Sequence, residues 1–382
     1  MYTLRVMEVS LVHKMLLLLL PIVVGMVFYF KFFFNRIAKT FSFDTSKKAV
    51  KLTVWILAIC FGVLSIDMFH ITAIVILHIF VLDALFVLIN FLVKKLIKKD
   101  CTLWKKIYGC GALPLLITAV FLIVGYCNMH NIVRTDYTVY TEKDVGDGYR
   151  VVLIADVHYG VSIDDDKLKE TSDEIGTLNA DMVILCGDIV DNNTTHEEMK
   201  SVFEILGSTK SRHGVFYVYG NHDRPYRDGG TFSAKELEEA IKQSGIRILQ
   251  DDVISIDENL TLVGREDRGY IVGETGRKSI DQLLSGVDRS QYILTLDHQP
   301  MEYAENGKAG SDLVLSGHTH GGQIWPANYA FEIFNINDGI YGHIEIDEDT
   351  DAIVTSGLAG WSYPIKTASP AEYVVIDIKG EE

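Results

Sequence analysis

Histidine, aspartate and asparagine recur at ordered intervals in the second half of the chain, each time just after a short apolar run. Asp156 and His158 follow VVLIA, and Asp188 follows MVILCG. Asn221, His222 and Asp223 follow VFYVYG, His298 follows YILTLD, and His318 and His320 follow LVLSG. Alternate residues of an extended segment point to opposite sides, so His318 and His320 would flank a small object rather than share a face. Two metal ions a few ångströms apart are such an object. Setting His222 and Asp223 aside, two aspartates, one asparagine and four histidines remain, with no cysteine. Oxygen and imidazole donors suit manganese, iron, zinc or cobalt and exclude thiolate clusters. Seven side chains exceed what one catalytic metal with an open position uses, and they suit two metals sharing one carboxylate. Asp188, alone after its Gly187 turn, is the bridging candidate. Two ions roughly 3.5–4 Å apart stabilise both the attacking and the leaving oxygen of an in-line displacement, and they make hydroxide available near neutral pH. Hydrolysis at phosphorus is the natural chemistry. His222 is placed either to protonate a leaving oxygen or to stabilise charge on the phosphoryl group. Asp223, its neighbour in sequence, would hold that imidazole as a cation.

Positioning these side chains together needs a sheet. The apolar runs predict strands at Arg150–Ala155, Met182–Cys186, Val215–Tyr219, Arg247–Leu249, Thr261–Val263, Tyr292–Leu296 and Leu313–Leu315. Helical patterns fall between them at about Asp165–Leu178, His196–Leu206, Ser233–Ser244, Ser279–Leu284 and Met301–Asn306. Three more strands, Ile340–Ile346, Ala352–Ser356 and Tyr373–Ile378, follow one another without helices and should be antiparallel. Asp156 and Asp188 are 32 residues apart and Asp188 and Asn221 are 33 apart, about one strand–helix–strand unit each. Parallel strands joined that way set their C-terminal ends side by side, where α/β proteins bind ligands. The expected architecture is an α/β core of two packed sheets with helices outside.

The ordered set DxH, GDxxD, GNHD, a later histidine and GHTHGG resembles the calcineurin-like metallophosphoesterase family over roughly residues 150 to 378. The resemblance implies a four-layer αββα sandwich with a dinuclear centre. Carried over by position, one metal would take Asp156, His158, Asp188 and His320, and the other Asp188, Asn221, His298 and His318. His222 matches the family's acid or transition-state-stabilising histidine. The run GHTHGGQIWP further resembles a bacterial branch of membrane-associated or exported phosphohydrolases, some acting on lipid-linked phosphates. Ala155 and Val157 depart from the common serine and leucine without removing a ligand. Lys366 stands where an arginine is expected near the proline of WSYPIKTASPAE.

The first third of the chain is of another kind. Residues 1–134 hold 15 Lys+Arg against 5 Asp+Glu, whereas residues 135–382 hold 20 against 46. That split argues for a membrane part and an acidic water-soluble part, and the acidic part disfavours nucleic-acid binding, nuclease activity included. Apolar blocks at about 15–34, 52–66, 71–93 and 107–127 predict a four-helix transmembrane region over 1–130, with 131–149 as a linker and 150–382 as the catalytic domain. The first block lacks a small-residue cleavage site, so a retained helix is expected rather than a signal peptide. Arg36, Lys39, Lys47, Lys48 and Lys51 fall in the first loop and Lys94, Lys95, Lys98, Lys99, Lys105 and Lys106 in the third, which places those loops inside and the soluble domain outside. Asp83, mid-span with no evident partner, is either functional or a bundle-facing packing residue. Cys186, in an apolar run, reads as a buried thiol.

The sequence thus points to a membrane-anchored, multi-pass phosphohydrolase with an extracytoplasmic domain and two divalent metals. Location alone makes a lipid-linked phosphate ester the expected substrate. The alternative is a non-catalytic sensor or scaffold whose outer domain binds metal or phosphate. Arg265 and Asp267 would either line the mouth of the site or form a surface ion pair. Trp325 and Trp361 would either line an apolar slot or fill a corner. His196, His213 and His343 receive no role in the chemistry.

Overall fold

The computed structural model describes residues 2–381 except 68–69, 97–101, 225–229 and 269–275, with side chains from Leu19 onward. The chain divides into two compact units, Met1–Val124 and Gly125–Glu382.

In the first unit the helices are α1 (Tyr2–Thr40), α2 (Lys48–Leu64), α3 (Ile71–Leu96) and α4 (Thr102–Cys110), followed by α5 (Ala112–His130), which continues into the second unit. Among the described residues three helices are long and apolar enough to cross a membrane: Leu19–Thr40, Ile71–Leu96 and Ala112–His130. This corrects the count of four. At 17 residues α2 is about 25 Å long against a hydrocarbon core of about 30 Å. The block expected at 107–127 is broken by Gly111, whose φ of +65° ends one helix before the next begins. Arg36 and Lys39 belong to α1 rather than to a loop, and Lys98, Lys99 and Cys101 lie outside the described residues. Asp83 has a partner after all. Its fully buried carboxylate accepts from the Arg36 guanidinium and, at 2.8 Å, from the Tyr29 hydroxyl. Two charges in an apolar bundle are tolerable when paired in this way. Phe30, Phe33, Ala58, Ile76 and Ile79 pack between α1, α2 and α3.

The second unit is the expected four-layer sandwich. Its strands are β1 (Ile132–Thr141), β2 (Tyr149–Ile154), β3 (Met182–Cys186), β4 (Val215–Val218), β5 (Arg247–Ile248), β6 (Asp252–Ser255), β7 (Leu260–Gly264), β8 (Tyr292–Leu296), β9 (Leu313–Ser316), β10 (Gly342–Glu345), β11 (Asp351–Val354) and β12 (Ala371–Gly380). One six-stranded sheet runs β1-β12-β2-β3-β4-β5 and the other β10-β11-β9-β8-β7-β6. The central strands β2, β3 and β4 are parallel, as are β7, β8, β9 and β11.

Period-two side chains explain the layering. Val151, Leu153, Met182 and Ile184 point from the first sheet to meet Leu260, Leu262, Leu294 and Leu313 from the second. Their neighbours Val152, Ile154, Val183 and Leu185 face the other way, onto α6 (Asp165–Ile175), α7 (His196–Gly207) and α8 (Ala234–Gln243). On the far face Val263 and Ile293 pack on Ile280 and Leu283 of α9 (Ile280–Leu283), and Val314 packs on Tyr303 of α10 (Tyr303–Ala309). Strands buried on both faces must read as unbroken apolar runs, and they do. Capping boxes at Thr195–Glu198, Ser233–Glu236 and Ser279–Gln282 start α7, α8 and α9.

Several elements of this unit depart from the sequence reading. Part of the stretch read as a linker forms β1, paired in parallel with β12 from Ile132↔Ala371 to Thr141↔Gly380. It is an edge strand, and of its ten residues Val139 alone is buried, so its pattern is mostly polar. β6, likewise at a sheet edge and mostly unburied, falls outside the strands that the sequence predicts. Among the late strands β10 and β11 are antiparallel, but β11 runs parallel to β9 and β12 joins the other sheet.

Candidate metal centre

Every predicted ligand sits at or just beyond the C-terminal end of a strand: Asp156 and His158 after β2, Asp188 after β3, Asn221 after β4, His298 after β8, and His318 and His320 after β9. The sandwich brings the two sheets' strand ends to one rim. There the donor atoms of Asp156, His158 and His320 lie within 4.8 Å of one another, as do those of Asp188, His298 and His318. The two trios meet at Asp188, whose Oδ2 is 3.8 Å from His158 Nε2 and 3.1 Å from His298 Nε2. Asn221 belongs to the second trio, with its Oδ1 2.8 Å from His318 Nδ1. Asp156 accepts the His318 backbone N–H at 2.9 Å and Asp188 accepts that of His222 at 2.7 Å.

Local backbone strain accompanies this convergence. Asp156, His158, Asp188, His318 and His320 all have φ between +39° and +71°, a region that side chains with a Cβ occupy at a cost of order 1–3 kcal/mol each. Such strain persists only where the surroundings over-determine it. The tight glycines do part of that work. A Cβ on Gly220 would lie 2.2 Å from Asp188 Oδ1, and one on Gly317 2.5 Å from Asp156 Oδ2.

The donor set fits cations. His298 Nδ1 donates to the Cys186 carbonyl at 2.7 Å, so its other ring nitrogen, Nε2, faces Asp188 Oδ2. That nitrogen and His158 Nε2 are both buried without a hydrogen-bond partner. The His298 nitrogen and the Asp188 oxygen, 3.1 Å apart, need a proton or a metal between them. Asp188 itself is held well below the usual carboxylate range: burial works to raise it, but His298 and His158 outweigh burial. Burial pushes Asp156 up to about 6, with the Asp188 charge adding to the effect. Burial also lowers His318 to about 4 and His320 well below its ordinary value, leaving both imidazoles in the neutral form that a metal requires.

Sequence reasoning missed several supporting residues. Asp191, the second aspartate of the GDxxD run, was given no role. Its Oδ2 lies 3.1 Å from His158 Nδ1, which orients the opposite nitrogen to the rim, and its Oδ1 is 3.6 Å from His222 Nδ1. Those two histidine contacts overcome burial and hold Asp191 below its ordinary range. Asp191→Ala is expected to weaken metal binding by about 10–100-fold without unfolding the domain, measured by competition with a chromogenic chelator.

Asp191 also replaces Asp223 as the carboxylate beside His222. Asp223 accepts the backbone N–H groups of Gly220, Asp188, Ile189 and Val190 at 2.6–3.2 Å. It therefore knits two of the ligand-bearing turns together and does not hold the imidazole. A fully buried carboxylate next to a histidine in sequence served the backbone instead, since four amides there had no other acceptor.

Lys366 is fully buried and donates to the carbonyls of Ser356 and of Ala359, the latter at 3.2 Å. The Ala359 carbonyl also lies 3.4 Å from His320 Nδ1, so the lysine fixes the loop that orients that ring. Burial pushes its ammonium down to about 7. Lys366→Met is expected to strand these carbonyls and to lower stability by about 1–3 kcal/mol, read as a lower unfolding temperature in detergent.

The remaining sequence candidates resolve differently. Arg265 forms no surface pair: it is 1% exposed and bonded to Asp297 at 3.2 Å and Glu302 at 2.9 Å. Asp267 is buried and accepts from Gln299. The Trp361 ring stands 5.5 Å from that of His222. His196 and His343 face Glu236 and Asp351, away from the clusters.

Residues 149–322 match the family described as calcineurin-like phosphoesterase. Among curated proteins, an uncharacterized metallophosphoesterase of Campylobacter jejuni is 27% identical over 71% of this chain and 70% of its own. A protein of Danio rerio described as a transmembrane protein with metallophosphoesterase domain is 29% identical over 70% of this chain and 62% of its own. Among solved structures, a dimetal phosphatase from Danio rerio aligns with 56% of this chain and 88% of its own at 15% identity and a TM-score of 0.39.

Proposed function

Because the chain carries a calcineurin-like metallophosphoesterase domain, we propose that it is a membrane-anchored hydrolase that cleaves a phosphoester or pyrophosphate bond with the help of two divalent cations. The observation that carries this reading is the meeting of the two trios at one carboxylate, Asp188. Asp156, His158, Asp188 and His320 would hold one cation, and Asp188, Asn221, His298 and His318 the other. Bound there, manganese, iron, zinc or cobalt would supply charge for the phosphoryl oxygens and a water acidic enough to ionise near neutral pH.

The chain's own residues do the rest. Asp191 keeps the His158 tautomer correct, and the Cys186 carbonyl does so for His298. Burial would lower the His222 pKa, but the Asp191 carboxylate 3.6 Å away and the Asp188 charge outweigh that and raise it. His222 is therefore biased toward its protonated form and is suited to give that proton to a leaving oxygen. A cleft lined by Asp191, Asn192, His222, Thr231 and Phe232 leads to that imidazole.

We read the domain as extracytoplasmic. Lys39, Lys47 and Lys48 gather where α1 ends, and Lys94 and Lys95 where α3 ends. Basic flanks stay in the cytoplasm, so α5, which follows the basic end of α3, would carry the chain outward. The substrate would then be a phosphate ester reachable from that side, a lipid-linked one included.

The test is purified full-length protein stripped with chelator, reloaded with single metals, and offered mono-, di- and pyrophosphate esters. Metal-dependent turnover of one class is expected. Tight metal binding with no turnover of any ester would replace the enzyme by the sensor or scaffold reading.

A further inference from the structure

The segment after the His318–His320 turn presents a face that the fold does not cover. In α11 (Ala327–Ile333) no residue is buried. Tyr329 is 50% exposed, Phe331 38%, Ile333 and Phe334 74% each, and Ile336 49%. Acidic domains do not leave five large apolar side chains in water within eight residues without a use for them. From Ile324 to Tyr341 there is no lysine or arginine, which argues against an acidic partner.

What covers this face follows from where the segment is tied. Gln323 accepts the N–H groups of Thr367 and Ala368 at 2.8 and 3.0 Å, and the Trp325 N–H donates to Thr367 Oγ1 at 2.9 Å. The same strip is fastened to the last turns of α5. The Lys366 N–H donates to the Gly125 carbonyl at 2.9 Å, and Asn128 Nδ2 donates to the Lys366 carbonyl at 3.1 Å. A Cβ on Gly125 would lie 2.6 Å from Thr367 Cγ2, so the approach is close. Met129, one turn further, is buried in the same core as Leu358 and Ala359. Since α5 is apolar and long enough to span a bilayer, its last turns would lie at the membrane surface when it does so. The half-exposed Tyr126 is the residue type favoured at that level. Two hydrogen-bonded steps thus tie Trp325, and with it the start of α11, to the last turns of α5.

We propose that the apolar face running from Tyr329 to Ile336 lies in the surface of the bilayer that α5 crosses, as a second attachment beside the metal centre. The inference rests on the reading that α5 spans a membrane. A short helix with aromatic and aliphatic side chains on its open face binds such a surface through buried apolar area, and without basic residues it needs no anionic lipid. The metal-centre turn ends only seven residues before Tyr329, so a phosphate ester standing in the headgroup layer would be within reach of the site.

The experiment uses the full chain in phosphatidylcholine vesicles doped with a phosphatidylcholine bearing a photoreactive acyl chain, followed by peptide mapping. Adducts are expected on the 327–336 peptide as well as on the spans. The triple variant Phe331→Ser, Phe334→Ser, Ile336→Ser should lose those adducts by about tenfold while keeping the ones on α5. Its metal content and its hydrolysis of a soluble ester, bis-p-nitrophenyl phosphate, should be unchanged. Adducts confined to the spans would overturn the proposal. So would a detergent-solubilised dimer that the triple variant converts to monomers, which would make a second copy the occupant. Loss of the phosphoesterase reading would show separately, as no soluble-ester turnover by the metal-loaded wild type.

Discussion

Asp188→Asn should leave the fold intact and empty the metal centre. The substitution is isosteric, so the backbone bonds around the turn survive, and the Asp188 N–H can still donate to Asp223. What disappears is the one negative group common to both trios, which stands 3.8 Å from His158 Nε2 and 3.1 Å from His298 Nε2. A neutral amide shared between two dications offsets none of their mutual repulsion. Loss of an orienting neighbour already costs about 10–100-fold in affinity, so loss of a shared ligand should exceed 100-fold for both metals, with turnover falling at least about a thousandfold. The check is metal stoichiometry by elemental analysis alongside hydrolysis of a soluble ester. A variant that kept two metals, or lost only one, would show that Asp188 is not the shared ligand. His298 supplies an independent readout. Burial works to lower its pKa, but the Asp188 charge, with those of Asp156 and Asp267 behind it, outweighs burial and raises it, so in the metal-free variant, with the strongest of these charges gone, the ring should titrate lower than in metal-free wild type.

Much of this site was legible before any coordinates because of where it sits. Strands buried on both faces, such as Met182–Cys186 and Tyr292–Leu296, announce themselves as apolar runs, and polar residues immediately after such runs have few reasons to be there other than chemistry. Convergence across 164 residues of sequence, from Asp156 to His320, followed from parallel strand ends sharing one rim. What failed to show in the sequence has a common cause. Asp191, Asp223 and Lys366 act through atoms chosen by three-dimensional proximity: a ring nitrogen, four amides and a set of carbonyls. No spacing rule distinguishes a carboxylate that orients a histidine from one that ties down a turn. The same holds for Asp83 and Arg36, which are 47 positions apart on two helices whose rotation about their axes the sequence leaves open. Edge strand β1 and the short α11 were missed for a related reason. Neither is buried on two faces, so neither carries the apolar periodicity that marks an element.

His222→Ala should separate chemistry from metal binding. The imidazole stands outside both trios, and only the backbone N–H of His222 touches Asp188, so metal content should match the wild type. Turnover should fall by about 10²–10⁴-fold, the usual worth of a positioned general acid. The size of the loss should depend on the leaving group. A phenolate such as p-nitrophenolate departs without help, so if His222 supplies a proton the deficit will be small for that ester and large for an alkyl one. An equal deficit for both would make the imidazolium a charge stabiliser and not a proton donor. The pH profile gives the second arm. The acid must be protonated to act, so activity falls as pH rises through its pKa, and the Asp191 carboxylate 3.6 Å away raises that pKa. In Asp191→Ala at saturating metal the descending limb should therefore move to lower pH. A limb that stayed in place would detach His222 from the proton transfer even if the alanine variant were inactive.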